Sequence, residues 1–229
     1  MSLYERDYAR FYTRTSSEAA EFVKRVYILF ALSLLSATIG SWAGIFVLGP
    51  QIVGNLFVYL VLVAIEFGLL FAINGSKEKE GLNTILLFAF TFVSGLTLTP
   101  LLYAVLRLPD GALIIAEAFT ITTVAFGGFS VFAFFTKKDF SVYAKALFIT
   151  LLVVCAASIL GIFIPVAGYH LVLSGVIAIL FSFYIIYDTQ KIIRGEITSP
   201  TMGAIELYLD FINLFTSLLR ILSILNSRD

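Results

Sequence analysis

Apolar residues occur along the chain in long blocks, separated by short stretches that contain charged residues, glycine or proline. A block of about 20 apolar residues is long enough to cross the hydrocarbon core of a bilayer as an α-helix. The pattern predicts seven such segments, at 26–48, 52–73, 82–106, 111–135, 142–165, 168–187 and 204–225. The seventh segment is the least apolar, so six spans followed by a re-entrant segment is the alternative.

Two of the segments contain residues that we expect to interrupt a helix. The third contains Thr97-Leu98-Thr99-Pro100, and the fourth contains Gly127-Gly128. Irregular backbone at membrane depth persists only where protein or a water-filled cavity satisfies its polar groups. We therefore expect a break or a kink at both positions.

The composition assigns the chain to the class of integral membrane proteins. Hydrophobic residues make up 60% of the 229 positions and charged residues only 13%, whereas about 25% charge is usual in a soluble domain. The fold class predicted is all-α, with no nucleic-acid partner and the lipid bilayer as surroundings. A single cysteine excludes an internal disulfide bond and a cysteine-based metal cluster.

The distribution of basic residues predicts the orientation. Five lysines and arginines precede the first segment, and two lie in each of the second, fourth and sixth connections, whereas the other connections carry at most one. The positive-inside rule therefore predicts a cytoplasmic N-terminus. We expect a charged cytoplasmic segment at 1–25, with no cleaved signal peptide, and one transmembrane domain at 26–229.

Five acidic residues lie in or beside the apolar segments. An ionisable side chain inside a membrane span costs several kcal/mol, so each one is a candidate functional residue. Asp188 ends the sixth segment, and the other four lie within segments: Glu66, Glu117, Glu206 and Asp210.

The seventh segment carries its polar residues on one helical face. Glu206, Asp210, Asn213 and Ser217 are spaced i, i+4, i+7 and i+11, which places them in one stripe. The other faces consist of leucine, isoleucine and phenylalanine. Such a stripe requires protein or water beside it, which favours a central position for this helix.

Asp188 and Asp210 lie toward the same predicted side of the membrane. Two carboxyl groups that approach closely do not both ionise easily, so they share a proton and titrate as a coupled pair. The pair is therefore a candidate proton-sensitive gate. Carboxylate oxygens also suit hard cations, which makes Asp188 and Asp210 candidate calcium ligands.

Each of these residues also has a structural interpretation. Asp188 can be an interfacial acid paired with Lys191, and Asp210 can bond to a neighbouring helix. Glu206 is close enough to the interface to be solvated. Arg220 either neutralises an acid or extends to the interface.

Glu66 and Glu117 can serve as polar contacts between helices. The motifs of membrane enzymes are incomplete: no Gly-x-Gly-Asp follows Tyr187-Asp188, and Ser174 lacks the preceding glycine of a rhomboid-type site. No phosphate-binding loop is present. We therefore predict no catalytic residue and no enzymatic activity.

Several stretches resemble the transmembrane Bax inhibitor motif family, in particular its short bacterial members. The most specific are Tyr-Asp-Thr-Gln at 187–190, Leu-Tyr-Leu-Asp-Phe-Ile-Asn-Leu-Phe at 207–215 and Leu-Leu-Arg-Ile-Leu at 218–222. The stretch 94–101 and the one that begins at Glu117 are similar to an earlier family signature. The resemblance extends over 24–225.

This resemblance implies seven helices, with two three-helix layers around a central C-terminal helix. It also implies a pH-sensitive calcium leak, gated near the cytoplasm by two aspartates that correspond to Asp188 and Asp210. An acid in the second helix of the family corresponds to Glu66. The arginine that the family places near the gate has no clear counterpart in the second segment.

The leading functional hypothesis is a pH-sensitive calcium (cation) leak channel in the plasma (inner) membrane of a bacterium. Calcium is then the transported ion, protons regulate it, and no cofactor is required. Four further residues are expected along the ion pathway, and Arg220 is a candidate counter-charge; the four are Glu66, Glu117, Glu206 and Asn213.

Two other classes of function stay open. The chain can instead be an interaction protein that modulates a membrane protease or a stress or cell-death response, with residues 1–25 as the contact surface. A proton-coupled transporter of an organic solute would also use buried acids, although no residue pattern points to a particular solute.

Overall fold

The computed structural model describes residues 16–76 and 79–227, and this part of the chain consists of helices and short connections without strands. Residues 1–15 of the predicted N-terminal segment lie outside it. A 3₁₀ turn at Phe140–Tyr143 precedes α7. The α-helices are α1 (Ser16–Phe46), α2 (Gly49–Ile52), α3 (Leu56–Gly75), α4 (Glu80–Thr97), α5 (Thr99–Leu106), α6 (Gly111–Phe135), α7 (Ala144–Gly161), α8 (Ala167–Arg194) and α9 (Pro200–Asn226).

Seven membrane-length helical spans are present in the described residues, in agreement with the prediction. Helices α4 and α5 together form the third span, and the 3₁₀ turn with α7 forms the fifth. Helix α9 is continuous from Pro200 to Asn226 and is long and apolar enough to span, which favours a seventh span over a re-entrant segment. The predicted arrangement in two layers around a central helix stays a prediction.

Helix α8 continues well beyond the predicted end of its segment, so Asp188 lies inside a helix rather than at its end. The last turn contains Lys191 and Arg194, whose positive charges interact favourably with the C-terminal end of a helix. Gly195 follows with a φ of 76°, a conformation that terminates helices and that glycine adopts without steric cost. The apolar pattern underestimated this helix because its final turns are polar.

Only one of the two predicted interruptions is present. Helix α4 ends at Thr97 and α5 begins at Thr99, with Pro100 in the first turn of α5, where its missing N–H is tolerated. The predicted break at Gly127-Gly128 is wrong, because α6 is continuous through both residues. In an apolar medium the helix is retained because it satisfies the backbone hydrogen bonds internally.

The first of two compact units contains the described residues up to Ala104 together with Gly195–Tyr208. Helices α1 and α4 form its main contact. A Cβ atom at Gly95 would overlap the carbonyl oxygen of Ala37, and one at Gly40 would overlap that of Phe92. Small residues therefore allow the two helix backbones to touch, as is common between membrane helices.

The second compact unit contains Val105–Arg194 and the chain from Leu209 onward. Helix α8 contacts both α6 and α7 in this unit. Phe211 of α9 packs edge-on between two α6 rings, with centroids 5.7 Å from those of Phe119 and Phe126. Large aromatic side chains thus provide much of the packing here.

Candidate functional site

Asp188 is a buried acid with a basic partner on its own helix. Its residue is 6% exposed, and its Oδ1 accepts a hydrogen bond of 3.1 Å from the Nζ of Lys191. The same ammonium group lies 5.3 Å from the centre of the Tyr187 ring, within the range of a cation–π contact. The Lys191 contact that the structural interpretation predicted is present, but Asp188 is buried rather than solvated.

Asp210 lies on α9 within the same compact unit and is 3% exposed. The hydroxyl group of Tyr184, one helical turn before Asp188, interacts electrostatically with both Asp188 and Asp210. Asp210 therefore reaches the region of α8 that carries Asp188. Both acids lie within electrostatic range of one tyrosine, and their role as a gate stays a prediction.

The remaining polar residues of the α9 stripe differ in their environment. Glu206 is half-buried and belongs to the first unit. In the second unit, Asn213 donates a hydrogen bond of 2.7 Å to the backbone oxygen of Leu209, and Ser217 donates one of 2.7 Å to that of Asn213. Asn213 and Ser217 thus direct hydrogen bonds to their own helix.

Glu66 lies among hydroxyl groups of the first unit. Its Oε2 accepts a hydrogen bond of 3.2 Å from Thr97, and the side chain of Ser94 lies beside it. The fully buried Tyr208 lies close enough to interact with both Glu66 and Ser94. Sequence reasoning selected Glu66 but missed these three partners, since only the predicted helix break beside Thr97 drew attention to this region.

Glu117 and Arg220 are both exposed. Among residues 16–76 and 79–227, neither side chain is found in an ion pair. The structure therefore does not join them to the acids around Tyr184.

A second polar cluster, which sequence reasoning did not select, holds the connection between α6 and α7 against α8. The Oε1 of Gln190 accepts hydrogen bonds from the backbone N–H of Phe140 (3.0 Å) and from Nη2 of Arg194 (3.2 Å). The Nε2 of Gln190 donates one to the backbone oxygen of Lys138 (2.8 Å). The available signal was Gln190 at the end of Tyr-Asp-Thr-Gln, two residues after Asp188.

Asp139 completes this cluster at the surface. Its Oδ1 accepts hydrogen bonds from the backbone N–H of Ser141 (2.9 Å) and from Nη1 of Arg194 (2.5 Å). The hydrogen bonds from Ser141, followed by that from the Arg194 guanidinium, lower the pKa of Asp139 to about 2. Asp139 therefore stays ionised at neutral and mildly acidic pH.

Seven apolar spans and membrane-embedded acids on α3, α8 and α9 define a polytopic α-helical membrane protein with polar residues in its interior. The family model described as inhibitor of apoptosis-promoting Bax1 matches residues 19–227. The chain therefore belongs to the Bax inhibitor family, as the resemblance predicted.

Three relatives illustrate the range of this family. An uncharacterised protein of Campylobacter jejuni is 56% identical over the full length of both chains. A membrane protein of Vibrio cholerae is 34% identical, with 95% of this chain and 98% of the relative covered. The Golgi anti-apoptotic protein of vaccinia virus (strain Lister) is 33% identical, with 90% of this chain and 86% of the relative covered.

Proposed function

We propose that this Bax inhibitor family protein is a pH-sensitive calcium (cation) leak channel gated by Asp188 and Asp210. The observation that supports the proposal is the presence of two buried carboxyl groups within electrostatic range of one tyrosine, on two different helices of the same compact unit. Buried acids in membrane spans are costly and accompany ion and proton pathways.

In the proposed closed state, the two carboxyl groups share one proton and hold α8 against α9. Loss of that proton places two negative charges together in a medium of low dielectric constant, where repulsion is strong. The two side chains then separate unless a cation bridges them. Lys191 supplies a positive charge at Asp188 in both states.

A calcium ion takes six to eight oxygen ligands in proteins, so two carboxylates and water suit a passing ion better than a resident one. In the first unit, the carboxylate of Glu66 and the hydroxyls of Ser94 and Thr97 provide a separate group of oxygen atoms. We propose that Glu66 serves the ion pathway, with Glu117, Glu206 and Asn213 as further candidates. The ion is cargo, and no resident cofactor is part of this proposal.

The basic residues support a cytoplasmic N-terminus. With that orientation, the end of α8 that carries Lys191 and Arg194 faces the cytoplasm. The gate then responds to cytoplasmic pH in the plasma (inner) membrane of a bacterium.

The test is calcium flux into proteoliposomes over a range of pH, for the wild type and for Asp210→Asn. The asparagine side chain retains hydrogen bonding but does not titrate, so we expect the variant to lose the pH response. Asp110→Asn is the matched control, because Asp110 is exposed and has a φ of 55°, which asparagine tolerates. Unchanged flux and an unchanged pH response in Asp210→Asn would rule out the gate.

A second candidate is an interaction protein that modulates a membrane protease or a stress or cell-death response without transport. The observation that favours it is the name of the vaccinia relative, Golgi anti-apoptotic protein. The contact surface would lie in the charged N-terminal segment. Deleting residues 2–15, which precede α1, distinguishes the candidates: a channel retains its flux, whereas an interaction protein loses its captured partner and shows no flux in either form.

A further inference from the structure

The connection between α6 and α7 is docked on the end of α8 through backbone groups. Gln190 accepts a hydrogen bond from the N–H of Phe140 and donates one to the carbonyl oxygen of Lys138. A single amide side chain thus satisfies two backbone groups that no helix satisfies. These two hydrogen bonds hold the connection against α8, and they require both the oxygen and the nitrogen of the Gln190 amide.

Arg194 links the same amide to Asp139. Its Nη2 donates to Gln190 and its Nη1 to Asp139, so the planar guanidinium spans two acceptors. A lysine at this position would keep the positive charge, but its single ammonium group does not reproduce the two donor nitrogens of the planar guanidinium. The low pKa of Asp139 keeps the ion pair formed over the pH range in which a channel would operate.

An apolar contact lies beneath these hydrogen bonds. Phe140 is buried and packs with Ala133 of α6 and Ile186 of α8, and Tyr187 contacts the same cluster. The connection is therefore held against α8 by hydrogen bonds to its backbone and by the buried ring of Phe140. Tyr187 immediately precedes Asp188 and lies under the ammonium of Lys191.

The two-residue spacing between Asp188 and Gln190 determines which side of α8 the connection contacts. Successive residues of an α-helix are rotated by roughly 100°, so positions two apart point to nearly opposite sides. The connection therefore contacts α8 on the side opposite Asp188. A helix held in this way is restricted both in rotation about its axis and in translation along it.

We infer that Gln190 and Arg194, together with residues 138–140, form a positioning clamp that sets the direction in which Asp188 faces. In the channel proposed above, on which this functional part rests, the clamp keeps Asp188 directed toward Asp210. Gln190 and Arg194 are positioning residues, since they act through the orientation of α8 and do not themselves contact the ion.

The first test measures the clamp itself by hydrogen exchange of the intact protein in lipid nanodiscs. In Gln190→Leu, the N–H of Phe140 loses its acceptor, and we expect peptides covering 138–143 to exchange about 2- to 10-fold faster. Asn74→Leu is the matched control, because that exposed amide donates to Leu70 of its own helix. Equal exchange of 138–143 in wild type and Gln190→Leu would overturn the clamp.

The second test measures the orientation of Asp188 without relying on transport. Cysteines replace residues 188 and 210 in a Cys155→Ser background, and a short bifunctional thiol reagent joins them. We expect Gln190→Leu to slow cross-linking at least about threefold, through greater rotational freedom of α8, and Asn74→Leu to leave it unchanged. An equal rate with Gln190→Leu would overturn the positioning role.

Flux measurements separate the two proposals. A shifted pH midpoint in Gln190→Leu with nearly normal maximal flux supports positioning, because a merely structural loss lowers the amount of active protein and leaves the midpoint unchanged. Arg194→Lys should shift it less than Arg194→Gln, since it keeps the charge beside Asp139. Absence of flux in the wild type would refute the proposed channel. The hydrogen-exchange and cross-linking measurements would still test the clamp, because they do not depend on transport.

Discussion

The two compact units differ in how their helices are held together. In the first, glycine and serine let α1 and α4 approach until their backbones touch, and Ser36 and Ser41 donate hydrogen bonds to carbonyl groups of the facing helix. In the second, aromatic rings join α6 to α9, and a long polar side chain of α8 holds the connection between α6 and α7. Backbone contact leaves little room for adjustment, whereas side-chain contacts can rearrange.

The acids of the two units also differ in their surroundings. Glu66 in the first unit is surrounded by neutral hydroxyl groups. Asp188 in the second unit has a lysine ammonium at 3.1 Å and shares its tyrosine neighbour with Asp210. The second unit thus contains the groups whose charges respond to one another. We therefore expect the first unit to be the more rigid one, and in the channel proposed above the second unit is the one that responds to protons.

The largest effect is expected from a side chain placed between α1 and α4. Gly95→Ala forces its Cβ against the backbone of Ala37, and we expect the free energy of unfolding in detergent to fall by about 1–3 kcal/mol or more. Gly95→Leu should prevent folding. Gly128→Ala in the second unit is the control, because nothing lies within 4 Å of its added Cβ. If both alanine variants unfold like the wild type, close backbone contact does not distinguish the units.

A smaller effect is expected from a single side-chain hydrogen bond of the second unit. The hydroxyl of Tyr169 donates a bond of 2.7 Å to the backbone oxygen of Ala157, and hydrogen bonds between membrane helices contribute about 0.6 kcal/mol on average, with a maximum near 1.7. Tyr169→Phe should lower the free energy of unfolding by an amount in that range. Tyr143→Phe, at an exposed tyrosine, should have no measurable effect. A loss well above about 1.7 kcal/mol for Tyr169→Phe would contradict the comparison.

The smallest effect concerns the ion pair of Asp139 and Arg194. The pKa of Asp139 falls from its ordinary 3.8 to about 2, so its carboxylate stabilises the folded state above about pH 4, and this contribution disappears as the pH falls toward 2. Thermal unfolding of the wild type and of Asp139→Asn should differ by a constant amount from pH 8 to pH 5. A difference that vanishes near pH 6 would show that another group titrates instead.

Much of the fold could be predicted because membrane helices are long and their apolar runs are conspicuous. The break beside Thr97 was predicted correctly, since proline removes a hydrogen-bond donor. The break at Gly127-Gly128 was not, because glycine weakens a helix only slightly where no water competes for its backbone. The end of α8 was misplaced because its last turns contain charged residues.

The candidate site was predicted only in part. A single sequence identifies ionisable residues in apolar surroundings, which selected Asp188, Asp210 and Glu66. It does not identify neutral partners such as Thr97 or Gln190, because hydroxyl and amide groups are common at helix ends for many reasons. Glu117 was selected on the same grounds as the buried acids and Arg220 as a counter-charge, yet both side chains are exposed.

The amino-acid pattern by itself determined the class of protein, the number of spans and the polar stripe on α9, because each depends on residues close together in the chain. Only the tertiary structure decided that Asp210 reaches the part of α8 beside Tyr184, that Gly95 lies against Ala37, and that Gln190 holds the backbone of Lys138 and Phe140. These pairings join residues distant in sequence. Helix packing selects them through the shapes of whole surfaces, which no local periodicity encodes.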